Sequence, residues 1–170
     1  EARGLDAVIT GVTLTVGSVG WMAGALLQTQ SWLRWRRDQM IVVGVTGITV
    51  GVAVLAVAAW FPQSWLGLVM ISWIIAGFGM GLQNPSTSLA VMQLSDDAEL
   101  GRNTSSLQVG ESLGSSLFTG LAGAWFAHFH EIADLSFTFG GLMVGMVFVG
   151  LIAVLVANRI GPVPTGVGED

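Results

Sequence analysis

The sequence predicts an all-α integral membrane protein, a polytopic bundle of five transmembrane helices. Hydrophobic residues make up 52% of its 170 residues and charged residues only 10%, against about 25% charged in a typical soluble domain. The mean hydropathy is +0.73, and the 24 glycines suit membrane helices better than soluble ones. The apolar residues also form five runs, each long enough for the about 20 residues that a spanning helix needs.

Short polar breaks separate the five predicted spans. A helix satisfies all its backbone hydrogen bonds internally, as lipid requires, and short connections favour antiparallel neighbours in one compact bundle. The predicted spans cover residues 5–28, 40–61, 65–94, 104–129 and 137–158. We assign residues 1–160 to this bundle and expect 161–170, which are rich in glycine and proline, to form a disordered cytoplasmic tail.

The positions of the arginines predict the orientation of the bundle. Positive charges collect on the cytoplasmic side of short loops. If the spans alternate, most of the arginines fall on one side: Arg34, Arg36, Arg37, Arg102 and Arg159. The N-terminus is then outside and the C-terminus inside, an arrangement that we expect for the tail of a larger protein. Tryptophans near predicted helix ends suit an interfacial aromatic belt: Trp60, Trp65 and Trp125.

Composition and motifs also exclude several kinds of function. The chain has no cysteine and a net charge of -5, which excludes thiolate chemistry and argues against a nucleic-acid partner. It lacks a nucleophile elbow, a phosphate-binding loop and an HExxH motif, so we predict neither an enzyme nor a cofactor. His128 and His130 do not share a helical face, and we assign them to a solvated loop rather than to a metal site.

Pairs of small residues four apart occur in every predicted span. Such pairs mark faces where membrane helices approach closely. They are Gly20 with Gly24, Gly47 with Gly51, Gly77 with Gly81, Gly110 with Gly114, and Gly141 with Gly145. The pairs indicate dense packing, which suits a transporter but equally any other tight bundle.

Glu111 is the one acid well inside a predicted span, about 12 Å from the start of the fourth. It belongs to a polar stripe at helical spacing: Thr104, Gln108, Glu111, Ser115 and Thr119. Membrane-embedded acids usually face a bundle interior or a water-filled cavity, and desolvation favours the protonated form of a carboxyl. Glu111 is therefore a candidate for proton coupling or cation recognition. The alternative is a structural hydrogen bond or an ion pair with a base elsewhere.

The third predicted span carries a second polar group, in a segment that Pro85 is expected to kink. Trp73, Gly77, Met80, Asn84 and Ser88 share one face, with Gln83 beside it. They either line a cavity for amphipathic organic molecules or hold helices together. Combined with the fourth span, the candidate substrate-cavity residues are Trp73, Met80, Gln83, Asn84, Gln108 and Ser115.

Two loops on the predicted cytoplasmic side carry charge. In 31–39, tryptophans and arginines can lie at the lipid interface; orientation alone explains the arginines, and a gating role is the alternative. In the next such loop, Asp96, Asp97 and Glu99 are expected to cap the fourth helix and pair locally with Arg102. The candidate cytoplasmic-loop residues are Arg34, Arg36, Arg37 and Arg102.

Three segments resemble the C-terminal half of a major facilitator superfamily transporter, especially its bacterial drug-efflux branches. They are GFGMGLQNPS at 77–86, the GR at Gly101 and Arg102, and SSLQVGESLGSSLFTG at 105–120. The resemblance covers nearly the whole chain and implies that the five helices are the last five of that bundle, most of one half of the fold. In the family's loop motif an aspartate is expected where Gln28 or Gln30 stands, although Arg36 and Arg37 keep its basic part.

The resemblance implies alternating access between two helical halves. The expected function is proton-coupled efflux of amphipathic drugs or lipid-like metabolites, with Glu111 taking part, by a multi-pass antiporter of the bacterial inner membrane. Its expected partners are a small-molecule substrate, the proton, the lipid bilayer and the N-terminal half of the same transporter. The alternatives are a uniporter or importer of a small polar solute, and a non-transporting scaffold or accessory subunit.

Overall fold

The computed structural model describes residues 7–30, 32–61 and 66–163, which form five α-helices without a strand. The helices are α1 (Ala7–Leu27), α2 (Arg37–Trp60), α3 (Leu66–Leu94), α4 (Leu100–Phe129) and α5 (Leu135–Ala157). Each coincides with one predicted span, so the all-α fold class is confirmed. Trp65 and residues 164–170 of the predicted tail lie outside the described residues.

Four of these helices are long and apolar enough to cross a membrane: α1, α2, α3 and α5. The exception among the described helices is α4. Its 30 residues are more than sufficient in length, but the serines, threonines, Gln108 and Glu111 lower its hydropathy. The fourth predicted helix is therefore present, and it is the polar one of the five.

The centre of the packed region is α3, which lies between α1 and α2. It runs parallel to α1, since Gly17 lies beside Trp73 and Gly24 beside Phe78. It runs antiparallel to α2, since Gly44 lies beside Gln83 and Gly51 beside Ser72. α5 packs on the other side of α2 and antiparallel to it, because Thr49 lies beside Gly150 and Trp60 beside Gly140. This alternation brings Arg36, Arg37, Arg102 and Arg159 to one end of the molecule, which we call the arginine end.

Glycines make the close contacts between these helices. A Cβ atom added at Gly20 would lie 2.5 Å from the carbonyl oxygen of Ile74, and one at Gly51 would lie 2.8 Å from that of Ser72. Added Cβ atoms at Gly24, Gly77 and Gly81 would likewise collide with backbone of the facing helix. The predicted close approach is confirmed for the pairs in α1, α2 and α3.

The expectation of one compact bundle is wrong for α4, which stands apart from the others in the described chain. It has no buried residue. A hydrogen bond from Asn103 Nδ2 to Ser95 Oγ (2.9 Å) joins it to the residue that follows α3, and one from Trp125 Nε1 to the Thr138 carbonyl (2.9 Å) joins it to α5. Within the described residues, nothing lies within 4 Å of a Cβ built at Gly110 or Gly114. These two glycines therefore leave the middle of α4 with an open face.

Candidate functional site

The candidate site is the polar side of α4. Glu111 lies eleven residues after Leu100, about 16 Å along the helix axis. Since each residue turns the helix by about 100°, the four other residues of the predicted stripe lie within about 80° of Glu111. Thr104 is half-buried, and Gln108, Glu111, Ser115 and Thr119 are exposed. The structure therefore brings the stripe together on one side of one helix.

Three serines widen this stripe and were missed in the sequence. Ser105, Ser112 and Ser116 each follow a stripe residue by one position, which places them on its flank. The repeated pairing of a stripe residue with a serine was the signal for them. Opposite lie exposed apolar side chains: Val109, Leu113, Leu117 and Leu121. α4 is thus amphipathic, with a polar half suited to a water-filled cavity and an apolar half suited to lipid or to apolar protein.

Glu111 has no partner among the residues that the structure describes. Three acids at or next to a helix start do have one. Asp38 pairs with Arg36 (2.6 Å), Glu99 pairs with Arg102 (2.8 Å), and Asp134 accepts from the Phe137 N–H (2.7 Å). No hydrogen bond or ion pair within the described chain engages the Glu111 carboxylate. Its side chain is exposed on the open side of α4, so it is available to a proton, a substrate or a base from elsewhere.

The candidate residues of α3 divide between two environments. Trp73 and Met80 are 38% and 43% exposed, and Asn84 is exposed as well. Gln83 is half-buried at the contact with α2, where its Cβ lies beside Gly44, and its Nε2 donates to Thr87 Oγ1 (3.0 Å). Met80 and Asn84 therefore lie on the free side of α3, Trp73 borders the contact with α1 beside Gly17, and Gln83 belongs to the contact with α2.

The six predicted cavity residues are not in contact as a set. α3 and α4 are joined near their loop, by Asn103 and Ser95, and not at the level of Gln108 and Ser115. A cavity of about 470 Å³ lies instead at the arginine end, between the start of α2 and the end of α5. None of the six predicted residues lines it. Its walls include Trp35, Arg36, Asp38, Gln39 and Asn158.

The four candidate loop arginines differ in their surroundings. Arg36 donates from Nε and Nη2 to the two oxygens of Asp38 (3.0 and 2.6 Å). Arg37 is half-buried, and its Nε is buried without a hydrogen-bond partner.

Arg102 pairs with Glu99, so the predicted local pairing is confirmed. The predicted capping by Glu99 is wrong, because Glu99 occupies the N-cap position of α4 but its side chain makes no capping bond. Arg34 is exposed in the loop.

Gln28 and Gln30, the two glutamines of the loop motif, also differ. Gln30 donates from its side-chain amide to the Leu26 carbonyl in the last turn of α1 (3.2 Å). Gln28 reaches α3, where its Nε2 donates to the Gly81 carbonyl (3.0 Å) and its Oε1 accepts from Ser86 Oγ (3.3 Å). Of the two, Gln28 is the one that connects this loop to the helix core.

Aromatic side chains hold the end of the molecule opposite to the arginine end. Trp60 meets Phe137 edge-on, with ring centroids 6.1 Å apart. Trp125 contacts Phe129 and Phe137, with centroid distances of 4.3 and 6.3 Å. Both tryptophans therefore pack helices together at the level where the belt was predicted. Among the described residues, no group of acids and histidines is placed to hold a metal.

Comparison with known proteins identifies the family. The family model described as Major Facilitator Superfamily matches residues 1–168. No curated protein and no solved structure matches the chain. The match covers nearly the whole sequence and agrees with the long apolar helices. The chain belongs to the Major Facilitator Superfamily, a family of membrane transporters rather than enzymes.

Proposed function

We propose that this chain is part of a proton-coupled antiporter that exports amphipathic small molecules across the bacterial inner membrane by alternating access. The observation that carries the proposal is the unpaired Glu111 carboxylate on the open, polar half of α4. Acids in membrane helices are costly and are functional sites by default. In this proposal the N-terminal half of the same transporter covers the open faces of α4.

The chemistry of a carboxyl suits exchange of a proton for a substrate. An ionised carboxylate binds a cation, whereas a protonated carboxyl donates a hydrogen bond instead. If the proton and a cationic or polar substrate group compete for the same oxygens, release of one accompanies binding of the other. The flanking serines add hydroxyl groups, which both donate and accept hydrogen bonds, to the polar half of α4 beside Glu111.

The substrate class follows from the side chains that we assign to the cavity. Met80 lies on the free side of α3 and offers a polarizable thioether to apolar parts of a substrate. Trp73, which is 38% exposed beside Gly17 of α1, offers an aromatic face. Asn84 on α3, with Gln108 and Ser115 on α4, would orient its polar groups. Gln83 would act from the α2 contact beside them. This mixture favours amphipathic organic molecules over a small polar solute.

Flux through vesicles tests the proposal. The complete transporter is reconstituted, and transport of ethidium, a fluorescent amphipathic cation, is followed with and without a pH gradient. Glu111→Gln is expected to lower gradient-driven flux by about 100-fold, the lower part of the range for proton-transfer groups. Its matched control, Glu131→Gln, alters an acid that is exposed beside His130 and should leave flux unchanged.

Two outcomes would contradict the proposal. Flux that is equally fast without a pH gradient and in Glu111→Gln would indicate a uniporter. Absence of flux in the folded wild-type protein would favour a scaffold or accessory subunit. Folding of both variants is checked by thermal unfolding in the same detergent.

A further inference from the structure

The segment that follows α5 turns back onto the start of α2. After Ala157 the chain makes a tight turn, with hydrogen bonds from Arg159 N to Val156 O (2.9 Å) and from Ile160 N to Ala157 O (3.2 Å). Gly161 then adopts φ +76, a conformation that favours glycine. Pro162 restricts the next φ. These two residues redirect the backbone and present Val163 to α2.

Val163 makes reciprocal backbone contacts with α2. Its carbonyl accepts from the Arg37 backbone N–H (2.9 Å), and its own N–H donates to Asp38 Oδ1 (2.9 Å). The Arg37 N–H belongs to the first turn of α2, where helix donors have no partner within the helix. Both polar backbone groups of Val163 are thus satisfied by two successive residues of α2.

The Val163 side chain is buried where three helices meet. It is 1% exposed and packs in a cluster with Ile41 of α2, Ala90 of α3 and Ala157 of α5. Burial of a valine side chain contributes substantially to the contact. The segment 161–163 therefore ties the arginine ends of α2, α3 and α5 together.

Asp38 is positioned to control this contact. Its Oδ1 accepts from both Arg36 Nε (3.0 Å) and the Val163 N–H (2.9 Å). Arg36 also holds Oδ2 and so fixes the orientation of the carboxylate. The cavity of about 470 Å³ beside it is lined in part by Asp38, Gly161 and Pro162, so the segment is not packed against protein on this side.

We propose that residues 161–163 form a clasp, held closed by the Asp38 carboxylate, that makes the arginine ends of α2, α3 and α5 move as one unit and frees them when it opens. The proposal depends on these contacts and not on the role of Glu111. In the described chain α4 contacts the other helices only near its ends, so we do not include it in this unit.

Thiol accessibility tests the clasp, since the sequence has no cysteine. Val163→Cys is introduced into the complete protein, and its alkylation by N-ethylmaleimide is timed in detergent. The thiol is expected to react slowly while Asp38 is present and at least about tenfold faster with Asp38→Ala, as a local opening equilibrium shifts. Asp38→Asn keeps a carbonyl acceptor for the Val163 N–H but loses the charge pair with Arg36. Alkylation at 163 in this variant should therefore be faster than with Asp38 and slower than with Asp38→Ala. Ile160→Cys, at a residue that is 41% exposed, is the control and should react rapidly in every background.

Equal rates at 163 with and without Asp38, or a rate at 163 that matches the control at 160, would overturn the proposal. Hydrogen exchange of the cysteine-free protein provides a second measurement. The amides of Arg37 and Val163 should be protected in the wild type and lose protection in Asp38→Ala. The backbone amides of α1 and α3 where these helices meet should stay protected in both. Loss of protection throughout α3 would show general unfolding instead and would contradict a local clasp.

Discussion

Gln28 donates a hydrogen bond of 3.0 Å from its side-chain amide to the backbone carbonyl of Gly81. Pro85 lies four residues after Gly81 in α3 and has no N–H to donate to that carbonyl. The Gln28 amide therefore takes the place of the missing helix donor. Its Oε1 accepts in turn from Ser86 Oγ and, at 3.5 Å, from Arg37 Nη1. The end of α1 thereby closes the gap that proline opens in α3.

Removal of the Gln28 amide should destabilise the protein, and by more when Pro85 is present than when it is replaced. Gln28→Ala leaves the Gly81 carbonyl unsatisfied and should lower the free energy of unfolding by about 1–2 kcal/mol. In a Pro85→Ala background the new N–H at 85 can bond Gly81, so the same change should cost less. A double-mutant cycle measured by unfolding in detergent gives the coupling. Additive effects of the two substitutions would contradict this role of Gln28.

Alanine substitutions should separate glycines that form helix contacts from those that do not. Gly77→Ala places a Cβ against the Gly17 carbonyl, and the backbone shift that it forces should cost about 1–3 kcal/mol. Gly145→Ala meets nothing within 4 Å in the described chain and should gain up to about 1 kcal/mol from helix propensity. Thermal unfolding of both variants measures the difference. Equal melting temperatures would argue against backbone contact between α1 and α3.

The attachment of α4 to α5 should depend on the Trp125 hydrogen bond. Trp125→Phe keeps an aromatic ring against Phe129 and Phe137 but removes the donor to the Thr138 carbonyl. Loss of this hydrogen bond should lower the free energy of local opening at that end of α4 by about 1 kcal/mol. Amide exchange over 121–129 should therefore become several-fold faster. Trp32→Phe, at a residue that is 68% exposed, is the control, and an equal effect of both changes would contradict the assignment.

Water should reach one side of α4 and not the other. Single cysteines at Ser112, Ser115 and Ser116 are expected to react with a charged thiol reagent in membranes, whereas cysteines at Leu113 and Leu117 should react at least about tenfold more slowly, because lipid or apolar protein covers them. Reaction rates measured in vesicles show which positions around α4 are reached by water. Fast reaction at 113 and 117, or uniform rates, would exclude a cavity along the polar half.

The helices were predictable from the sequence because span length and hydropathy are local properties. The pairing of helices was not. Gly20 and Gly77 each mark a close approach, but their spacing does not say that α1 meets α3 rather than another helix. The clasp joins Asp38 to Val163 across 125 positions. A segment rich in glycine and proline predicts disorder, and its contact with α2 is visible only once the helices are in place. The role of Gln28 was not predictable either, because it depends on the packing of α1 beside Pro85 in α3.

The polar stripe of α4 was predictable because it lies within one helix, where spacing alone determines the face. Assembly of the candidate cavity was not predictable, since Gln83 turns toward α2 and Trp73 packs beside Gly17 of α1, while Met80 and Asn84 remain on the free side of α3.

Proton movement driven by a substrate gradient tests the role of Glu111 most directly. Vesicles containing the complete transporter and a trapped pH dye are loaded with ethidium and diluted. The wild-type protein should move protons against the ethidium flow, Glu111→Gln should not, and the control Glu131→Gln should move protons at the wild-type rate. Proton movement by Glu111→Gln at the wild-type rate would contradict the account.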